Sequence, residues 1–377
     1  MVSYKDKKVL MRVEFNVPLT KSGKISDDSR ILSCIPSIKS ILKDKPKQLI
    51  LMFHLGRPKH NEKYLQTDVV ANHLSELLKR KVVKVNHCGE IPIPENYKIV
   101  VLENLRFYKG EKTSDHKFAK RLASLADIYV NESFGTCHRK DASVFVVPKY
   151  FAKNKRVQGP LLKNEIKKLN VVRKSKDLTV IVGFAKISDK ILFLEKLLRK
   201  SKKVLIGGLV VFTFLKAQGL SVGKVKVDPA EVEIAKQIMD KYIKKLIFPV
   251  DFRGRNKENK LLTVPFDKIP RDFIGYDVGP KSIILFKEAL STSKIVFWNG
   301  PLGYFEKKPF DKSTNDIAEY LSKNNKKLKT IVGGGDTASA VIKSGFSKDL
   351  YHISTGGGAS LSYIEKGKLP ALKWFKK

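Results

Sequence analysis

The chain has 377 residues, and at roughly 100–200 residues per domain it has room for two. Apolar residues make up 42% of it, enough for buried cores and too many for a disordered segment. Lysine and arginine number 74 against 37 acidic residues, a net charge of +37. The lysines are spread along the whole chain, without a basic tail or an RNA-recognition, zinc-finger or helix-turn-helix signature. They read as solvated helix faces rather than a nucleic-acid surface, although such a field attracts anionic metabolites. The longest apolar run, 204–215, is broken by two glycines and a threonine and is too short to cross a bilayer. The first residues lack the apolar stretch of a secretory signal, and the last carry no lipidation or peroxisomal address. The expectation is a cytoplasmic protein with no membrane partner. Cys34, Cys88 and Cys137 are scattered and show no CxxC spacing, so neither a disulfide framework nor a zinc site is expected. Cys137 adjoins His138, but neighbours on an extended chain point to opposite sides, and no nucleophile pair is expected.

The first strand is predicted at 8–13. A helical stripe follows in Ile31, Leu32, Ile35, Ile38, Ile41 and Leu42. After a strand at 48–53 comes a second stripe, Val69, Val70, His73, Leu74, Leu77 and Leu78. His73 lies on it and is expected to pack in the core rather than bind a ligand. Strands are predicted at 98–102 and 127–130. Gly159-Pro160 opens a helical stretch to Val172, and the polar 173–177 closes it, which marks the best domain boundary. Further strands are predicted at 178–183, 203–206, 245–249, 294–298 and 329–332. All are rich in Val, Ile and Leu at consecutive positions, as strands buried on both faces are. The alternation predicts an α/β chain: two doubly wound parallel-sheet domains joined by a hinge helix.

Four elements carry chemistry. Isolated arginines sit in polar turns of the first half, Arg30, Arg57, Arg106 and Arg139. Arginine grips carboxylate and phosphate bidentately, so a small, multiply anionic substrate is suggested. Gly183-Phe184-Ala185-Lys186 ends a strand, and Lys186 and Lys190 then stand four apart, on one helical face within reach of a phosphate chain. Trp298-Asn299-Gly300-Pro301 leads through a turn to Glu306, a carboxylate able to hydrogen-bond a ribose. The clearest element is Gly333-Gly334-Gly335-Asp336-Thr337 entering a helix, with a similar turn at Gly356-Gly357-Gly358. Glycines at a strand-to-helix turn offer backbone N–H groups and the helix dipole to an anion, and Asp336 and Thr337 add hard oxygens suited to Mg²⁺. Neither turn is a P-loop or a dinucleotide fingerprint, which counts against an NAD-dependent dehydrogenase.

The strings VEFNVP, DDSRI, HLGRPK, LENLRF, FGTCHR, AKISDKI, TFLKAQG, GPK, WNGPLGYFE, GGGDTASAV and HISTGGGASL run in order from residue 13 to residue 361. In this the chain resembles the phosphoglycerate kinase family. The resemblance implies an N-terminal domain for 3-phosphoglycerate (1–158), a hinge helix (159–175), a C-terminal Mg-nucleotide domain (176–362) and a tail returning to the first domain (363–377). It implies reversible transfer between 1,3-bisphosphoglycerate and ADP, giving 3-phosphoglycerate and ATP, by a monomer with Mg²⁺ as cofactor. Glu14, Phe15, Asn16 and Arg30 match the loop around the glycerate. His54, Leu55, Gly56, Arg57, Arg106, His138 and Arg139 match the cluster for the non-reacting phosphate. Gly183, Phe184, Lys186, Lys190, Gly208, Leu209, Gly275, Asn299, Pro301, Glu306, Gly333, Gly334, Gly335, Asp336 and Thr337 match nucleotide contacts, with Asp336 as the metal ligand. Arg30, Lys186, Gly335 and Gly358 match the catalytic set.

Three positions depart from the family pattern. Glu14 replaces an aspartate and is expected to push its carboxylate toward the substrate. Phe184 and Leu209 replace glycines of the base pocket and are expected to narrow or reshape it. Those two side chains and the charge motivate one alternative, a catalytically weakened member that binds nucleotide or nucleic acid.

Overall fold

The computed structural model describes residues 2–375; Lys376 and Lys377, at the end of the expected tail, lie outside them. The chain divides into two compact units. One comprises 2–167 with 368–375, the other 168–367.

The first unit is built on six parallel strands: β1 (Lys8–Arg12), β2 (Gln48–Met52), β3 (Val83–Lys84), β4 (Ile99–Val101), β5 (Ile128–Asn131) and β6 (Arg156–Gln158), in the order β3-β4-β2-β1-β5-β6. Alternate residues of each strand enter opposite cores. Val9, Met11, Leu49, Leu51 and Val130 face one core with Ile31, Ile38, Val70 and Leu74 of two covering helices. Leu10, Ile50, Met52 and Tyr129 face the other with Phe118 and Leu122. This double coverage is why the strands read as unbroken apolar runs. The helix Ser29–Lys43 buries Ile31, Ile38 and Ile41, but Leu32 of the expected stripe is exposed. His73 also departs from expectation. It is not a core residue; its Nε2 lies 2.9 Å from Asp28 Oδ2 on a partly exposed surface. The segment 370–375 docks on this unit, where Ala371 N donates to Cys137 O (3.2 Å) and Trp374 Nε1 to Phe145 O (2.7 Å).

The second unit holds another six-stranded parallel sheet: β7 (Leu178–Val182), β8 (Ser201–Ile206), β9 (Leu246–Ile247), β13 (Ile295–Asn299), β14 (Lys329–Val332) and β15 (His352–Ile353), in the order β15-β14-β13-β7-β8-β9. Its strand order reverses between β7 and β13. An antiparallel sheet of β10 (Asp251–Arg255), β11 (Leu261–Pro265) and β12 (Ile274–Val278) was not foreseen. β10 and β12 mix glycine, aspartate and, in β10, arginine with apolar residues, and β11 ends in a proline, so no long apolar run announces them.

The helix Pro160–Lys174 carries the chain from the first unit into the second. Its start is held by Glu132, which accepts from the backbone N–H groups of Leu161 (3.0 Å) and Leu162 (3.2 Å) and from Ser37 Oγ. Gly159 allows that approach, because a Cβ there would fall 1.9 Å from Glu132 Oε2. Gly159→Ala should therefore lower stability by about 1–3 kcal/mol, the usual cost of overfilling a packed site. Urea unfolding reads this as a lower midpoint; an unchanged midpoint would show that Glu132 steps aside freely.

Candidate active site

In a parallel sheet all carboxyl ends lie along one edge, and crevices form there where the strand order reverses. In the first unit that edge carries the segments after β1, β2, β4 and β5, which hold Glu14 and Asn16, His54 to Arg57, Arg106, and His138 with Arg139. Hydrogen bonds tie them together. Arg30, in the first turn of Ser29–Lys43, donates to Asn16 O (2.8 Å) and lies 3.6 Å from Glu14 Oε1. Asn16 Oδ1 accepts from Gly56 N (2.8 Å), and Gly56 O accepts from Arg106 Nη1 (2.7 Å). Arg139 Nε donates to His138 Nε2 (3.4 Å). Arg57 is exposed. Arg106 Nε is buried with no hydrogen-bond partner, a donor that an anion would satisfy.

The arginines make the surroundings strongly cationic. Burial, then Arg12, Arg106, Arg139 and Arg30, hold the His54 imidazole well below its ordinary pKa. Burial and Arg139 likewise lower His138. Two expected contacts have their side chains turned away. Phe15 is fully buried with its ring edge-on to Phe53 at 5.3 Å. Leu55 is buried too, with its backbone N–H and C=O both engaged by Asn104 (3.1 and 2.8 Å). Glu14 does not advance beyond the loop. Its buried carboxylate accepts from Ser133 Oγ while staying beside Arg30.

In the second unit the segments after β7, β8, β13 and β14 line a cavity of about 590 Å³. Gly183 packs so tightly that a Cβ would fall 1.9 Å from Pro301 O, and Gly300, at φ 100°, adopts a conformation that glycine alone takes easily. These glycines bring the ends of β7 and β13 together. Asn299 Nδ2 donates to Gly333 O, Lys190 Nζ donates to Asn299 Oδ1 (3.3 Å), and Gly300 N donates to Thr337 Oγ1 (2.6 Å). The Gly334–Gly335 turn is thereby pinned to the WNGP turn. Helices Gly335–Lys343 and Gly358–Lys366 begin at the two glycine turns. Lys186, Glu306 and Asp336 are exposed, and the last two line the cavity with Gly208 and Gly275.

Phe184 and Leu209 both line the cavity but behave differently. Leu209 is 49% exposed, whereas Phe184 is 4% exposed with Lys190 Nζ 4.6 Å above its ring. One ring face thus supports the lysine, a cation–π contact. Sequence reasoning missed three supporting residues. Arg12 lies behind His54, with Nη2 2.9 Å from Nδ1. Asn104 orders the His54 loop. Glu231 accepts from the N–H groups of Ile187 (2.6 Å) and Ser188 (3.0 Å), fixing the loop between Lys186 and Lys190. Asn104 stands inside the Arg106 turn, where only the arginine drew notice; Arg12 merely adjoins the VEFNVP segment, and Glu231 lies in no glycine or arginine turn.

A family model described as "Phosphoglycerate kinase" matches residues 1–368. A phosphoglycerate kinase of Trichodesmium erythraeum is 42% identical over 382 aligned residues, covering 97% of this chain and 94% of the relative. One of Dictyoglomus turgidum is 43% identical, covering 98% and 95%. Among solved structures, phosphoglycerate kinase from Coxiella burnetii superposes with a TM-score of 0.88 at 34% identity, over 99% of this chain and 97% of that one. The enzyme from Pyrococcus horikoshii gives 0.86 at 27% identity over the same shares.

Cys137 is no nucleophile. Burial pushes the Cys34 and Cys137 thiols up to about 12 and Cys88 well above its ordinary value. Iodoacetamide at pH 8 should leave the native protein unmodified and alkylate all three cysteines after unfolding, as counted by mass spectrometry. Rapid native labelling of Cys137 would contradict the burial argument.

Proposed function

The chain belongs to the phosphoglycerate kinase family, and from that premise we propose how its residues divide the reaction. The enzyme is a phosphotransferase with a carboxyl acceptor, moving a phosphoryl group reversibly between 1,3-bisphosphoglycerate and ADP to give 3-phosphoglycerate and ATP. No observation favours the alternative of a family member reduced to binding. No helix among the described residues is long and apolar enough to cross a membrane.

The arginine and histidine cluster of the first unit is proposed to hold 3-phosphoglycerate. Arg106, Arg139 and His54 take the non-reacting phosphate, and Arg30 with the Asn16 segment takes the carboxylate. The observation that carries this is the chain of hydrogen bonds from Arg30 through Asn16 and Gly56 to Arg106. It spans the loops after three strands and sets two guanidinium groups in one frame, as a ligand with anionic groups at both ends requires. The second unit's cavity takes the nucleotide, with Glu306 placed for the ribose and Lys190, Thr337 and the two glycine turns for the phosphates.

In the direction of ATP use, a carboxylate oxygen of 3-phosphoglycerate forms a bond to the γ-phosphorus while the β–γ bridging bond breaks toward ADP. The carboxylate is already ionised, so no general base is needed. The work left to the protein is alignment and charge neutralisation. Arg30, Lys186 and the amides of Gly335 and Gly358 supply fixed positive charge and N–H donors to the group in transit. Asp336 offers a hard oxygen to Mg²⁺. No cluster of three or more metal-binding side chains occurs among the described residues, which fits an ion carried largely by the nucleotide's phosphates. When bound, that ion would neutralise phosphate charge. The helix Pro160–Lys174 is the proposed hinge element.

Two tests follow. Arg30→Ala should lower kcat by roughly 10²–10³-fold, the scale for removing one transition-state donor, with KM for ATP little changed. A coupled assay showing only a loss of nucleotide affinity would refute the role. The second concerns the base. The cavity walls there are largely aromatic and aliphatic (Phe184, Leu209, Phe212, Tyr304 and Phe305 among them), and such walls grip a flat base without reading its edge. ATP and GTP should therefore differ by no more than about tenfold in kcat/KM, about 1.4 kcal/mol. Because the Phe184 ring carries Lys190, Phe184→Gly should raise KM for both nucleotides alike. A strong adenine preference, unchanged in a Phe184→Gly, Leu209→Gly double variant, would disprove the idea.

A further inference from the structure

Arg12, the last residue of β1, is fully buried. Its guanidinium is held on every side that the unit offers. Nε donates to Ser143 Oγ (3.0 Å), and Nη1 to Ser133 Oγ (3.4 Å) and Val13 O. Ser143 passes the contact on, its Oγ donating to Glu111 Oε1 (2.6 Å) and its N–H to Glu111 Oε2 (2.9 Å), so the buried cation has a buried carboxyl behind it. The remaining nitrogen, Nη2, lies 2.9 Å from His54 Nδ1.

A guanidinium has five N–H donors and no acceptor, whereas each nitrogen of a neutral imidazole either donates or accepts. Nδ1 facing Arg12 must therefore be the acceptor, and the ring proton must sit on Nε2. We infer that Arg12 is a positioning residue that fixes His54 as its Nε2–H tautomer, so that a neutral imidazole donates a hydrogen bond to the non-reacting phosphate of 3-phosphoglycerate. The inference rests on the assignment of that phosphate to the arginine cluster. Arg12 itself touches no substrate.

The surroundings make this arrangement economical. Arg12, Arg106, Arg139 and Arg30 all act on His54, and a fifth positive charge among them would be repelled. A neutral donor adds a directed hydrogen bond without that repulsion. Fixing the tautomer in advance also spares the ligand the cost of selecting it, since a ring free to hold its proton on Nδ1 would meet the phosphate with a lone pair.

The test uses ¹⁵N-histidine NMR on the whole enzyme, with seven histidines in the chain and His54→Ala to assign the resonances. In the wild type, His54 should show a protonated Nε2 and an unprotonated Nδ1, and should stay neutral at pH 6, where ordinary histidines are largely protonated. Adding 3-phosphoglycerate should shift Nε2. Arg12→Met should mix the tautomers or let the ring protonate. It should raise KM for 3-phosphoglycerate roughly ten- to hundredfold, the range for losing a hydrogen bond to a charged group, and leave KM for ATP in place. Arg12→Lys, which keeps a donor and the charge, should restore the tautomer and part of the affinity. A wild-type His54 carrying its proton on Nδ1, or charged at neutral pH, would overturn the proposal whether or not Arg12→Met folds. So would an Arg12→Met protein whose His54 keeps the same tautomer. A His54→Ala protein with an unaltered KM for 3-phosphoglycerate would overturn the phosphate assignment beneath it.

Discussion

Within each six-stranded sheet every strand runs parallel to its neighbours, and this parallel alignment is the constraint on which the rest depends. It forces the carboxyl ends of all strands in a sheet onto one edge and sends the chain back through a covering helix each time. The loops at that edge cannot pair with one another as hairpins do. Their polar groups must find other partners, which are side chains such as Asn16, Asn104 and Asn299, or an anionic ligand. The asparagines supply a donor and an acceptor from one side chain, so each can bridge two loops. Asn104 does so with Leu55 and Leu65, and Asn299 with Gly333 and Lys190.

Behind these loops lies a layer of buried charge. Arg12, Glu14, Glu103, Glu111 and Glu132 are all nearly inaccessible in the first unit. Buried ions are costly unless paired and fully hydrogen-bonded, and here each is engaged by a serine, a threonine or a backbone N–H group. Ser143 links Arg12 to Glu111, Ser133 links Arg12 to Glu14, and Glu103 accepts from Thr67 and Asn104. Such a network gives no large stability, because desolvation offsets much of the attraction. Its value is that few other arrangements satisfy it, so the loops in front are held in one geometry.

Much of this was legible in the sequence for a physical reason. Strands covered on both faces must be apolar at consecutive positions, so 48–53, 178–183 and 294–298 announced themselves and fell on β2, β7 and β13. Glycine turns and isolated arginines are equally visible, since their chemistry depends on residue type at adjacent positions. The antiparallel β10–β12 sheet was illegible because Gly254 and Gly275, each pressed against an aromatic ring, interrupt β10 and β12, and β11 buries only Val264. His73 misled because a helical stripe identifies a face but not its edge, and Asp28 from a neighbouring helix start draws the ring to the surface. Arg12, Glu231 and Asn104 act through partners 42, 44 and 49 positions away, and no local pattern marks a contact of that range.

In the proposed division of the reaction the two units would bind anions with different side chains, and the difference follows from what each anion does. The phosphate of 3-phosphoglycerate stays where it is throughout the reaction. A planar guanidinium held by a carbonyl group, as Arg106 is by Gly56 O, suits a charge that never moves. The phosphoryl group must be gripped, passed on and released. Rigid bidentate clamps at both ends of that path would deepen the bound states as much as the transition state and slow the turnover. In the proposed division, exposed Lys186 on its flexible stem and backbone amides at two helix starts would give positive charge without a fixed fork, so the interaction could follow the group as it moves. Glu231 fixes the backbone of the loop between Lys186 and Lys190, while Phe184 and Asn299 hold the Lys190 ammonium itself, so that only Lys186 keeps its reach for the chemistry.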